Sequence, residues 1–330
     1  MQLLVTIDTE EDNAWRAGFR ASGHTVENTR GIERFQRLCE DFRVRPTYLI
    51  DTPIAEDARS VEMLTAFQHA GQCEVGAHLH PWCAPPFGEP GGVRESFLCN
   101  LPADVQRDKL ARLTDTIEQR TGRRPTSFRA GRYGLDMVGA RILADLGYEV
   151  DSSVIPFTSY AAEEGPDFSH APFRPYYLDA ADFTQPHDAG FLLEVPVTVG
   201  YNRHDFLRSN RIHRLTAAPV LKQLRLRGFL DRLGILRRIK LSPEQADASE
   251  MQTLVDIYHA QGQDAVVLMF HSSSLVAGGS PYVPSETEFH RFYEKLNAIF
   301  RHCVETRHMR CETLTEFARQ YRSSNAACVA

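Results

Sequence analysis

Met1-Gln2-Leu3-Leu4-Val5-Thr6-Ile7-Asp8-Thr9-Glu10-Glu11-Asp12 starts as an apolar run and ends in a cluster of carboxylates. Leu3–Asp8 reads as a buried strand, and the acids that follow sit at one rim of its sheet. Strand side chains alternate faces, so Asp8 and Glu10 point one way and Thr9 the other. Further on, Glu74-Val75-Gly76-Ala77-His78-Leu79-His80-Pro81 repeats the arrangement, with His78 and His80 on one side. Two carboxylates and two imidazoles at strand ends are the raw material of a divalent metal site with a carboxylate to spare. That points to a metal-assisted hydrolase.

Outward from these two stretches, apolar runs alternate with helical periods. Strands are expected at Leu3–Asp8, Pro46–Ile50, Cys73–His78, Ser127–Arg129, Glu149–Ser153, Phe191–Val197, Ala265–Phe270 and His308–Cys311. Helical patterns fall near Thr29–Phe42, Ser60–Ala70, Ala103–Thr121, Leu135–Leu146 and Glu286–His302. Ser242-Pro243-Glu244-Gln245 reads as a helix start running on to about Ala260. This alternation implies an α/β fold with a mostly parallel sheet, closed into a (β/α) barrel, over residues 1–330 as a single domain. Polar clusters fall just after the strands, the rim where barrel active sites sit. The Gly- and Pro-rich loops Ala84–Gly92 and Ala277–Pro284 follow motif histidines and are candidates to cover substrate.

The composition is that of a globular protein, 42% hydrophobic and 24% charged over 330 residues. No apolar run is long enough to cross a bilayer. The N-terminus shows no basic segment followed by an apolar one, so the expectation is a cytoplasmic protein. The seven cysteines form no C-x-x-C pair and read as free or buried thiols, with Cys83 the one that falls near the histidine pair.

Charge is unevenly spread. Residues 203–240 carry eleven Lys or Arg against Asp205 and Asp231, a net of +9 in a chain whose total is −6. Apolar residues interleave with the Arg at near-helical spacing, which predicts a basic amphipathic helical insertion. It reads either as a solvated insertion packed on the barrel or as a docking surface for an anionic partner. That partner would be phospholipid headgroups at the inner membrane surface, or a lipid- or nucleotide-linked phosphate. Nucleic acid is excluded, because the rest of the chain is acidic and no reader motif accompanies the patch.

Five segments line up in order: Thr6-Ile7-Asp8-Thr9-Glu10, His78-Leu79-His80-Pro81, Phe128-Arg129-Ala130-Gly131-Arg132-Tyr133-Gly134, Asp151-Ser152-Ser153 and Leu268-Met269-Phe270-His271. The succession resembles the polysaccharide deacetylase family, the NodB-homology domains, over roughly residues 1–155 and 190–275. The resemblance implies a distorted (β/α) barrel that hydrolyses N-acetyl groups of sugars with a metal-bound water as nucleophile. It implies a divalent transition metal, zinc first, with cobalt, nickel, manganese and iron as the others. It implies Asp8 as general base, His271 as general acid and Arg129 as the group that holds Asp8. Asp151 is then the carboxylate that orients His271. Backbone N–H groups near Arg132 and Tyr133 are the expected oxyanion donors.

The chain departs from the family pattern around the metal. Thr9 stands where the second motif carboxylate is usual, and Glu10, on Asp8's side of the strand, is its natural substitute. The histidines are two residues apart instead of four. Either His80 still binds, or only His78 does and Asp12, Glu11 or His24 completes the set. Glu10, His78 and His80 are the expected ligands. Trp15, Trp82 and Tyr282 are candidates to stack on a sugar ring, or are packing residues. The substrate class expected is an N-acetylated sugar in a glycan or its lipid- or nucleotide-linked precursor. Two rivals are an amidohydrolase acting on a ureide or acetylated polyamine, and a non-catalytic glycan-binding relative.

Overall fold

The computed structural model describes residues 1–12, 18–88, 91–179, 181–187, 190–216, 230 and 232–329. Trp15 and most of the middle of the basic segment, including Arg225 and Arg227, lie outside the described residues.

The first strand, β1 (Gln2–Thr9), is buried from Leu3 onward. It is followed by α1 (Ile32–Asp41), β2 (Thr47–Ile50), α2 (Thr52–Glu56), α3 (Ala58–His69) and β3 (Glu74–Leu79). Then come α4 (Ala103–Thr121), β4 (Ser127–Ala130), α5 (Met137–Asp145), β5 (Val150–Asp151), β6 (Tyr176–Tyr177) and β7 (Leu193–Glu194). The remaining described elements are β8 (Val199–Tyr201), α6 (Phe206–Thr216), β9 (Arg238–Lys240), α7 (Ala248–Ala260), β10 (Ala265–His271), α8 (Glu286–Phe300), β11 (Arg310–Cys311) and α9 (Leu314–Val329).

The main sheet runs β10-β1-β2-β3-β4-β5-β7-β6, parallel throughout except for β6 against β7. Where β1 leaves β2, its first residues pair with β11 instead. The barrel expected from the alternation is closed only in part by strand pairing, so the fold is α/β with a curled half-barrel sheet. Irregular backbone stitches the gap. Leu241 N–H donates to Thr198 O, Met269 N–H donates to Leu241 O at 3.1 Å, and Val267 N–H donates to the Thr198 hydroxyl at 2.7 Å. Strands β5 and β7 are only two residues long, too short to carry the ladder round to β10.

Side-chain alternation sorts the sheet into two faces. Leu3, Val5, Ile7, Tyr48, Ile50, Val75, Ala77 and Phe128 pack outward with the helices. Leu4, Leu49, Val150, Leu193, Val195 and Val267 fill the inside, floored by Leu314, Phe317 and Ala318 of α9. Each such side chain contributes roughly 1.5–3 kcal/mol on burial. The inward positions turn polar toward the strands' C-terminal ends, so the apolar plug supports a polar rim.

The strand expected at Phe191–Val197 is reduced to Leu193–Glu194, and two further elements differ in kind. The helix beginning at Ser242 starts instead at Ala248, capped by Asp247, whose carboxylate and that of Glu250 form a reciprocal capping box. Asp247-x-x-Glu250 satisfies two orphan N–H groups where Ser242 satisfies none, and residues 242–246 form a separate turn. The helical reading of 203–240 holds for α6, but its end is strand β9, antiparallel to β8. Ile239 is buried between the exposed Arg238 and the half-buried Lys240, an alternation of period two that suits a strand.

Candidate active site

Register builds the centre. Parallel partners share a face, and β1 pairs with β10 so that Asp8 lies beside His271. Likewise β3 pairs with β4 so that His78 lies beside Arg129. All four point to the inside rim.

Arg129 is fully buried and its donors are spoken for. Nη1 donates to Asp8 Oδ1 at 2.6 Å, Nε to Ser152 O at 2.8 Å and Nη2 to Ser152 Oγ at 2.8 Å. Burial alone would raise the pKa of Asp8, but Arg129, with His78 and His271, outweighs it and holds the carboxyl well below the usual range. Asp8 is therefore an ionised, oriented carboxylate.

His271 finds a different carboxylate from the one expected. Its Nδ1 lies 3.0 Å from Glu244 Oε2, and Glu244 Oε1 also accepts from the His271 backbone N–H and from the Ser274 hydroxyl. Asp151 is one residue out of phase. It is the register partner of Phe128, which packs outward, so its carboxyl faces away from His271. There it accepts from the Ser153 hydroxyl at 2.6 Å and pairs with Glu194, and burial raises the pKa of both. Burial alone would lower the pKa of His271, but Glu244 and Glu10 lift it to about 9.

The structure brings both histidines of the shortened motif together with Glu10. His78 Nε2 and His80 Nε2 are 3.1 Å apart, and Glu10 Oε2 lies 3.3 Å from His80 Nε2 and 3.7 Å from His78 Nε2. Four-coordinate zinc with bonds of ~2.0–2.1 Å spaces its ligand atoms by roughly 3.3 Å. The other ring nitrogens are already used. His78 Nδ1 sits 3.0 Å from Arg129 O, and His80 Nδ1 sits 2.8 Å from Glu11 Oε2. A carbonyl oxygen and an ionised carboxylate can only accept, so both Nδ1 atoms carry hydrogen. In the neutral rings, two bare Nε2 lone pairs then face each other and a buried carboxylate. Burial also lowers the pKa of His78 and raises that of Glu10 to about 7. A cation resolves this arrangement, and three protein ligands leave an open position.

The reserves fall into supporting places. Glu11 holds His80 from behind and takes the Trp82 indole N–H at 2.8 Å, while the Trp82 ring stacks on His80 with centroids 4.2 Å apart. Asp12 accepts from Glu27 N, Asn28 N and the Thr25 hydroxyl, clamping a loop. His24 is outside the cluster, and Cys83 Sγ donates to His80 O. Gly131 explains how the close histidine spacing is tolerated. A Cβ there would stand 2.3 Å from His80 Cδ2.

These groups open into a cavity of about 650 Å³ that also meets Arg132, Tyr133, Trp82 and Tyr282. Arg132 and Tyr133 both have positive φ, 53° and 59°, an uncommon backbone for non-glycine residues and one that clusters at functional loops. The Arg132 guanidinium pairs with Glu163 and lies over the Phe97 ring.

No family model matches the chain, and no curated protein does. Solved structures do. A Mycobacterium smegmatis protein assigned as a polysaccharide deacetylase is 16% identical, with a TM-score of 0.54 over 98% of this chain and 90% of that one. The chain has the polysaccharide deacetylase fold. A Parabacteroides distasonis protein assigned as a glycoside hydrolase/deacetylase is 13% identical, with a TM-score of 0.63 over 98% of this chain and 71% of the other. PuuE allantoinase shares the fold at 13% identity and a TM-score of 0.55, over 97% and 90%. Proteins with differently named activities thus share the fold, and the fold by itself assigns none of them to this chain.

Proposed function

We propose that this chain is a metal-dependent deacetylase that removes an N-acetyl group from a sugar. The observation that carries the reading is the pair of bare imidazole nitrogens facing a buried carboxylate, 3.1–3.7 Å apart, beside an ionised Asp8. Glu10, His78 and His80 fit a divalent transition metal, zinc first. Bound there, it would supply Lewis-acid polarisation of the amide carbonyl and acidify a water.

The chain's own groups handle the protons. Asp8, fixed by Arg129, takes the proton of the attacking water on its free oxygen. His271, protonated at neutral pH and held at Nδ1 by Glu244, gives the Nε2 proton to the leaving amine. Backbone at Arg132 and Tyr133 lies where the acyl oxygen gathers charge. Trp82, Tyr133 and Tyr282 line the cavity with aromatic surface, which suits the apolar face of a pyranose ring.

Acetate release tests the reading. Metal-loaded protein should liberate acetate from N-acetyl sugars, and Asp8→Asn or His271→Ala should lower kcat by at least about a hundredfold. Hydrolysis of ureides, read as loss of the ureide, with no acetate from sugars would favour the rival amidohydrolase reading.

The same reading extends to location. No helix among the described residues is long and apolar enough to cross a membrane. Leu207, Leu215, Leu233 and Ile235 are nevertheless 45–65% exposed among the Arg of the basic segment. Apolar side chains standing beside cations support peripheral contact with an anionic bilayer surface. Leu207→Asp with Leu215→Asp should weaken sedimentation with anionic vesicles, and undiminished sedimentation would refute it.

A further inference from the structure

Lys240 lines the cavity and is a cation that the proposed reaction does not use. Its Nζ donates to the Tyr133 hydroxyl at 2.8 Å and lies 5.3 Å from that ring's centroid. Among the described residues no carboxylate oxygen comes within ion-pair distance of it. The carboxylates lining the cavity are committed elsewhere, Asp8 to Arg129 and Glu10 to His78 and His80. Burial lowers the Lys240 pKa by more than the nearby Tyr160, Glu244 and Asp8 raise it.

Strand geometry gives Lys240 a companion. Arg238 and Lys240 are two apart on β9 and so project to one side, while Ile239 is buried on the other. Arg238 also lines the cavity, where its Nη1 donates to Phe157 O at 2.7 Å and its position is thereby fixed. Arg132 pairs with Glu163. The cavity therefore has a wall of carboxylate and imidazole groups on one side and a pair of cations on the other.

We infer that Lys240 and Arg238 form an anion-binding subsite, and that the substrate is an acetamido sugar carrying an anionic group, a phosphate ester or a carboxylate. This rests on the deacetylase reading for the sugar, not for the anion. An ammonium and a guanidinium side by side recognise anionic oxygens by charge-assisted hydrogen bonds, which gain strength in a partly dry cavity. The bound anion would give Lys240 an ion-pair partner and set the acetamido group toward Asp8 and His271.

Equilibrium binding is the test, with acetate release measured separately. The probes are N-acetylglucosamine 1-phosphate, the matching uronate and neutral N-acetylglucosamine, on wild type, Lys240→Met and Lys240→Arg. The expected result is at least a tenfold preference of wild type for an anionic probe over the neutral sugar, kept in Lys240→Arg and lost in Lys240→Met. Preference for the phosphate over the uronate assigns the anion as a phosphate ester, and the reverse as a carboxylate. Inorganic phosphate should compete in wild type, a control that does not depend on a variant folding. Equal binding of charged and neutral sugars by wild type, or an unchanged preference in Lys240→Met, would overturn the subsite. No acetate from any sugar would count against the deacetylase reading alone, since the binding comparison still decides the subsite.

Discussion

His271 is held by Glu244, a residue 27 positions earlier in a turn outside the sheet, with Nδ1 3.0 Å from Oε2. The bond fixes which ring nitrogen faces the cavity and keeps the ring charged. Its pKa of about 9 leaves the imidazolium dominant at neutral pH, as a general acid requires.

Glu244→Gln removes the charge and keeps the shape. The His271 pKa should fall toward its ordinary value, so the alkaline limb of the kcat/KM profile should move to lower pH. The loss at neutral pH should be about 10–100-fold, the usual effect of removing a carboxylate behind a working imidazole. The sign for stability agrees. A group whose pKa is raised on folding contributes stability below its unfolded value, lost as pH rises through about 9. An unmoved alkaline limb in Glu244→Gln would show that the bond does not tune His271.

Arg129→Met leaves Asp8 buried and charged without a partner. Breaking a buried pair in this way costs about 3–5 kcal/mol, readable as a large drop in the urea midpoint. Asp8→Asn keeps an acceptor for Nη1 but leaves the buried Arg129 charge uncompensated, so its midpoint should fall as well. In the wild type the depressed Asp8 pKa contributes stability above the ordinary carboxylate value, lost only as pH falls through the folded-state value. Equal midpoints for Arg129→Met and wild type would contradict the pairing.

Gly131→Ala replaces no proposed ligand, yet its methyl would stand 2.3 Å from His80 Cδ2, 2.7 Å from Leu79 O and 3.1 Å from His80 Nε2. The ring must move, so metal affinity should drop at least tenfold while secondary structure by circular dichroism is kept. Unchanged affinity would remove His80 from the ligand set.

Much of this is legible in the chain. Strand alternation alone puts Asp8 with Glu10, and His78 with His80, on shared faces, and the structure keeps both pairs together. The apolar runs at Leu3–Asp8 and Ala265–Phe270 reveal β1 and β10, because strands buried on both faces leave continuous hydrophobic sequence. Asp151 shows the limit. Its place in a motif says nothing of which face it takes, and a phase difference of one residue turns it outward to Glu194. Glu244 was hidden for a related reason. Ser242-Pro243-Glu244-Gln245 carries the signals of a helix start, but the stronger cap at Asp247 frees those residues to form the turn that reaches His271. The available signal was the second capping box five residues on, which leaves an acid unexplained just before a helix. The gap between β7 and β10 was equally unreadable, since Thr198 and Leu241 close it with single hydrogen bonds and no strand pattern.

Metal content by elemental analysis, on wild type, His78→Ala and Glu10→Ala after repletion and desalting, bears most directly on the central claim. The arrangement of Glu10, His78 and His80 predicts close to one equivalent of a divalent transition metal in the wild type and loss of it in both variants. Wild type that retains no metal, or variants that retain it fully, would contradict the site and with it the hydrolase.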